Sequence, residues 1–153
     1  MKHQPIKLSG SQFKGLHKEM MATPGVEGGF TIHAVTGERP TEGHMVSYPG
    51  TERLTSPAEA TKPRDIANFT RQHRGELARP DVYLGGWKPE SDEFTTVDRS
   101  QIIKPSHKVA SDYGNEVANA EARTSALDLG IARGQFSTFD LKTGRSHSTG
   151  FDR

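Results

Sequence analysis

His33, Arg39, Ser47, Asp98 and Asp140 are the side chains with which this sequence could do chemistry. A histidine, an arginine and carboxylates together supply a proton acceptor, an anion clamp and a second acid or base, which suits phosphoryl or glycosyl transfer. Asp98 lies near the end of one strand-like segment and Asp140 near the end of another. Were those strands neighbours, the two carboxylates would face each other and could share acid and base roles or hold a cation. The simpler expectation is that each accepts hydrogen bonds from nearby backbone, as aspartate does at strand ends.

Other chemistry finds little support. Seven histidines are present, but none stands in H-E-x-x-H spacing, and there is no cysteine to complete a Cys/His site. His33 and His44 flank one loop, but two ligands fall short of the three or four that zinc takes. "GVEGG" at 25–29 carries no following G-K-[ST], so it reads as a hinge rather than a phosphate loop. No G-x-S-x-G occurs. No cofactor and no metal is called for. Arg39, Arg53, Arg64, Arg71, Arg74 and Arg79 form a loose group, several of them opposite the apolar side of a helix near 63–79. A solvated helix face is the expectation, with phosphate or an acidic partner as the alternative. Trp87, the single tryptophan, follows Gly85 and Gly86. Glycine in a strand marks a bulge or a close packing partner, so Gly85, Gly86 and Trp87 are expected to be a structural anchor, with Trp87 largely buried.

The elements that would position these residues follow from periodicity. "SQFKGLHKEMM" sets Phe13, Leu16, Met20 and Met21 at helical spacing, a short amphipathic helix within an arm over 1–28. An isolated helix this short is marginal in water, so its stripe must dock on the body or on a partner. "GFTIHAV" alternates and "HMVSY" is extended, which predicts a β-hairpin with a wide loop over 29–48. "SPAE" at 56–59 has the form of a helix start, and Ile66, Phe69, His73 and Leu77 form the face of a second helix that Pro80 ends. "DVYLGGW" and "EFTTVDRSQII" read as a second hairpin. The longest helical pattern places Val109, Ala110, Tyr113, Val117, Ala120, Thr124 and Leu127 by threes and fours, with Ser106 as N-cap and Gly130 as stop. "GQFSTFDL" is a last strand.

The order β-β-α-β-β-α-β predicts an α+β domain, with a mainly antiparallel sheet of about five strands and helices packed on it. The domain is placed at 29–145, followed by a polar tail over 146–153. The chain has 153 residues, 31% of them hydrophobic, with 20 Lys+Arg against 19 Asp+Glu. The balance of charge argues against a dedicated nucleic-acid binder. No apolar run approaches the roughly 20 residues of a membrane span, and no signal peptide is expected.

"GGFTIHAVTGERPTEGHMVS", "YLGGW", "FTTVDRSQII" and "QFSTFDLKTG", in this order over residues 28–145, resemble a group of small proteins encoded by phages of actinobacteria and by related prophage regions. Thr95 and Thr96 depart from the more apolar strand of other members. The resemblance implies a phage-associated role and carries no catalytic residue with it.

The leading expectation is therefore a non-enzymatic phage protein, a virion component or accessory factor, that binds other proteins such as capsid or tail components. It would be made in the host cytoplasm, with the virion as a further location. Phe13, Leu16, Met20 and Met21 would be its contacts, and replacing Phe13 and Leu16 by Asp would leave the body folded. The alternative is a small toxin-like enzyme, a nuclease or nucleotide transferase, built on His33, Arg39, Ser47, Asp98 and Asp140. It requires those side chains to converge.

Overall fold

The computed structural model describes residues 6–22, 29–49, 52–53, 62–87, 96–135 and 137–150. The protein is α+β, and its described strand pairings are antiparallel. The chain forms two compact units, residues 1–39 with 50–99, and residues 40–49 with 100–153. This differs from one domain with an arm and a tail. The helix of the arm belongs to the first unit, and residues of the supposed tail form a strand of the second.

In the first unit, α1 (Gly10–Ala22) opens on a capping box. Ser9 Oγ accepts from Gln12 N at 3.3 Å, and Gln12 Oε1 accepts from Ser9 N at 2.8 Å. Two of the otherwise unmade N-terminal hydrogen bonds are thereby satisfied. α1 packs on α2 (Pro63–Gln72) and on the strands β1 (Phe30–Ile32) and β4 (Val82–Trp87). Asp65 Oδ2 accepts from Lys62 N at 2.8 Å and Pro63 fills the first turn, so α2 begins where proline costs no hydrogen bond. Ile66 and Phe69 turn inward, as does Leu77 of the short α3 (Arg74–Leu77). The "SPAE" segment lies outside the described residues.

Phe13, Leu16 and Met20 are buried within this unit, the last two at 1% and 0% exposure, and Met21 is part-buried. The expectation that they contact another protein is corrected accordingly. Their stripe is the packing surface of α1 on its own chain, so Asp at 13 and 16 would bury unpaired charge and unfold the unit.

β1 pairs with β4 with Phe30 opposite Gly86. β4 adjoins β5 (Thr96–Ile103), as expected for the second hairpin, and β3 (Glu52–Arg53) pairs with β5 at Val97 and Thr96. The first hairpin is not formed. β1 and β2 (His44–Ser47) belong to different units, and β2 pairs instead with β5 and β6 (Ser137–Asp140). The cause is local. After Ile32 the chain turns, with His33 N donating to the Glu38 carbonyl at 2.8 Å and Gly37 N to the His33 carbonyl at 2.9 Å. The alternation stops there.

The glycines before Trp87 are explained by other neighbours than Trp87. A Cβ on Gly86 would stand 2.6 Å from Phe30 Cε2, and one on Gly85 would stand 2.7 Å from Asp98 Oδ1. The ring over the glycine is thus that of Phe30, and Trp87 is mostly but not fully buried. Trp87 Cβ lies instead beside Gly29, whose φ of +87° suits glycine.

In the second unit, β5 pairs with β2, β2 with β6, and β6 with β7 (Arg145–Ser148). α4 (His107–Tyr113) is capped by Ser106, whose Oγ accepts from Val109 N at 3.2 Å. Gly114, at φ +98°, breaks it from α5 (Asn115–Ala132). α5 packs on β2 and β6. Gly130 is not its stop. A Cβ there would stand 3.3 Å from Thr138 Cγ2, so glycine lets the helix lie close to β6. The helix ends at Gly134, φ +69°, with Gln135 N donating to the Gly130 carbonyl and Gly134 N to the Ile131 carbonyl. That pair of bonds is a Schellman motif.

Leu16→Ala should lower the stability of the first unit by about 2–5 kcal/mol, the cost of emptying a fully buried leucine site. Urea denaturation followed by Trp87 fluorescence checks it, and a change under ~1 kcal/mol would contradict the packing described for α1.

Candidate functional site

The residues proposed for catalysis are divided between the units. His33, Arg39 and Asp98 belong to the first, Ser47 and Asp140 to the second. Each is held by its own partners. His33 is buried and uses both ring nitrogens. Nε2 donates to the Arg79 carbonyl at 2.8 Å, and Nδ1 accepts from Val35 N and Thr36 N, each at 3.2 Å. That pattern fixes one neutral tautomer and leaves no nitrogen for a substrate. Arg39 makes two 2.7 Å bonds to the carboxylate of Glu19, an exposed pair worth under about 1 kcal/mol. Ser47 Oγ lies 3.2 Å from Ser100 Oγ. Asp98 fills the space above Gly85. The expectation of a converging His/Arg/Asp set is not met within either unit.

Arg64, Arg71, Arg74 and Arg79 are exposed, in keeping with a solvated face. Arg71 donates to Asn68 Oδ1 and Arg74 to the Arg71 carbonyl, both along the helix itself. The side chain of Arg53 lies outside the described residues. Arg99 of β5 reaches Glu76 of α3 at 2.8 Å.

Beside His33, Tyr83 sits edge-on to the imidazole at 5.3 Å and donates its hydroxyl to Glu38 Oε2 at 3.2 Å. Burial first, and then the Glu38 charge, raise its phenol to about 12. The folded state keeps a proton that the unfolded chain loses.

The second unit holds a polar node that the sequence did not announce. His44, on β2, is fully buried, and its Nε2 donates to Asn119 Oδ1 of α5 at 3.2 Å. His44 is opposite Asp140 in the β2–β6 register, and Asp140 is opposite Arg145 of β7. Asp140 Oδ1 accepts from Lys142 N at 3.0 Å, and Oδ2 lies 3.7 Å from His147 Nε2, an ion-pair distance rather than a hydrogen bond. Burial pushes the Asp140 carboxyl up. The Lys142 backbone N–H, the His44 imidazole, the Thr143 N–H and His147 together pull it down further, and the net is below the ordinary 3.8. His44 Nδ1 and Thr138 Oγ1 are buried without a protein partner among the described residues. With His44 at 0% exposure and Asp140 at 4%, the node is closed to a substrate. Among the described residues, no group of three or more His, Asp or Glu side chains is arranged to hold a metal ion.

What the second unit offers outward is α5. Its buried residues are Ala118, Ala122, Ala126 and Gly130, all of them small. The face singled out by its spacing was expected to be the core, and the structure turns it to solvent. Val117 is 48% exposed and Ile131 44%, with Ala120 and Thr124 exposed between them and Leu127 part-buried. Tyr113, at the end of α4, is 72% exposed, and α4 buries no residue at all. Ile131 was missed because Gly130 resembled a stop. Its spacing of seven from Thr124, itself seven from Val117, is the signal that finds it.

No family model matches the chain, and neither a curated protein nor a solved structure does. Among the described residues, no helix is long and apolar enough to cross a membrane.

Two pH effects follow. Because the Tyr83 phenol is raised, its contribution is intact below pH 10.0 and is lost as pH rises toward about 12. Thermal melts across that range should show a steeper alkaline loss for the wild type than for Tyr83→Phe. Equal slopes would contradict it. Because the Asp140 carboxyl is lowered, its contribution is present above 3.8 and is lost as pH falls below that value. Asp140→Asn should be less stable at neutral pH and lose less on acidification, which urea midpoints at pH 7 and about pH 3 will reveal.

Proposed function

We propose that this is a non-enzymatic, phage-associated protein, a virion component or accessory factor, that binds another protein through the outer face of α5. One observation carries the reading. The helix buries Ala118, Ala122, Ala126 and Gly130, while Val117 and Ile131 are left about half-exposed and Leu127 and Leu129 part-buried. A helix stabilised only by its own unit would have the opposite arrangement, since burying a valine or isoleucine side chain is worth roughly 1.5–3 kcal/mol and an alanine methyl much less. An ordered line of apolar residues left in water has the form of a helix-docking surface.

Association with phage rests on the resemblance of residues 28–145 and on nothing in the geometry. The enzyme alternative loses its central residue, because both nitrogens of His33 are committed to backbone groups. The contacts of the binding reading move accordingly, from Phe13, Leu16, Met20 and Met21 to α5.

The test is co-expression with the neighbouring genes, followed by affinity purification and mass spectrometry. A stoichiometric protein should accompany the wild type. A Val117→Asp, Ile131→Asp variant should lose at least about 90% of it while keeping its melting temperature within a few degrees, because both positions are half-exposed. Equal recovery with the variant would rule out this face.

A further inference from the structure

The outer face of α5 is apolar, and it is also written in heptads. Val117, Thr124 and Ile131 are spaced by seven, and Ala120 and Leu127 stand three residues after the first two. These are the two seam positions that a helix presents to another helix, here with β-branched residues at the first position. The charged residues of α5 are Glu116, Glu121, Arg123 and Asp128, and all four are exposed. Glu116 and Arg123 fall just before the seam residues Val117 and Thr124, while Glu121 and Asp128 fall just after Ala120 and Leu127. Every charge on the helix therefore occupies one of the two flanking rows that set partner choice in paired helices.

Those rows decide the occupant. One row, Glu121 and Asp128, is wholly acidic, and the other, Glu116 and Arg123, is mixed. A second copy laid antiparallel would bring acidic row against acidic row, a repulsion that offsets the match of Glu116 with Arg123 in the mixed row. Laid parallel, it would match Arg123 with Asp128 but oppose Glu116 to Glu121. Neither arrangement gains from charge. A helix with Lys or Arg beside the acidic row gains in both directions.

Resting on the binding role of this face, we infer that its partner is a different chain, an amphipathic helix with an apolar heptad seam and basic flanking residues. The seam from Val117 to Ile131 is about 21 Å long at 1.5 Å per residue, so the partner segment spans roughly four helical turns. A segment that short is marginally helical alone and orders on binding.

Two labelled synthetic peptides of three heptads test this, both with Ile and Leu at the seam. One carries Lys at the flanking positions and the other carries Glu. In fluorescence anisotropy with the full chain, the Lys peptide should bind at least about tenfold tighter at low salt, with the difference shrinking toward 1 M salt. Glu121→Lys with Asp128→Lys should narrow or reverse that preference. These two substitutions are on the solvent side, so they also serve where an apolar replacement disturbs the fold. An unchanged preference in the charge variant, or equal binding of the two peptides, would overturn the proposal. So would a stable dimer of the chain alone that Val117→Asp dissociates, although α5 would then remain the binding face. Failure of both peptides, together with a co-purifying protein indifferent to Val117→Asp, would overturn the proposal and the binding face together.

Discussion

The second unit depends on the close seating of α5 on β2 and β6. Ala118, Ala122, Ala126 and Gly130 stand at every fourth residue and give the helix a flat inner face. At Gly130 a single added carbon would meet Thr138 and Thr149 at 3.3 and 3.0 Å. Such a face approaches a sheet closely but contributes little apolar area. The interior it makes is thin, and polar side chains fill part of it. His44, Thr138 and Asp140 are all buried there. Buried polar groups are costly unless they bond, and the bond from His44 to Asn119 is the answer to that cost between strand and helix. Arg133 gives another at the helix end, donating to the Val46 carbonyl and to Gln101 Oε1 while lying over the Tyr48 ring at 4.1 Å.

The first unit solves the same problem by ordinary apolar packing. Leu16, Met20, Ile66, Leu77, Val82, Leu84 and Val97 are fully buried or nearly so. Its glycines serve side chains that come from other elements. Gly86 makes room for Phe30 and Met20, and Gly85 for the Asp98 carboxylate. The buried His33 is used as backbone glue, joining the turn after β1 to the Arg79 carbonyl. A histidine that satisfies three backbone groups resembles a catalytic one in sequence, because the residue type says nothing about which partners are within reach.

Local signals were legible. The α+β class, the Ser106 cap and the inward faces of α1 and α2 all come from interactions within a few residues, and the sequence shows them directly. Pairing was not. "GFTIHAV" and "HMVSY" are consecutive and both extended, yet they join different neighbours, because the turn at His33 ends β1 before it can double back. β7 was missed for the related reason that "RSHS" has no apolar face, and its strand exists because β6 offers it hydrogen bonds. The node of His44, Asp140 and His147 depends on that register and so had no signature either. At Trp87 the tripeptide was seen, but the Phe30 ring that packs on Gly86 comes from another strand and had no signature beside it.

The error over α5 is the informative one. Periodicity identified the correct apolar stripe, Val117, Ala120, Thr124 and Leu127, and the assumption that the best stripe faces the core assigned it the wrong direction. That assumption holds when a helix has one apolar face. α5 has two. The alanine face is so small in side-chain volume that it scarcely registers as apolar, yet it is the one that fits against a sheet whose inward residues include His44 and Thr138. The larger face cannot be accommodated there without pushing the helix outward and losing the His44–Asn119 bond. A sequence that places its bulkier, heptad-spaced residues on the side its own fold cannot use, and confines every helix charge to the rows beside them, meets two separate packing requirements on one helix. One of these the chain satisfies by itself. Under the proposed binding role, a second helix meets the other.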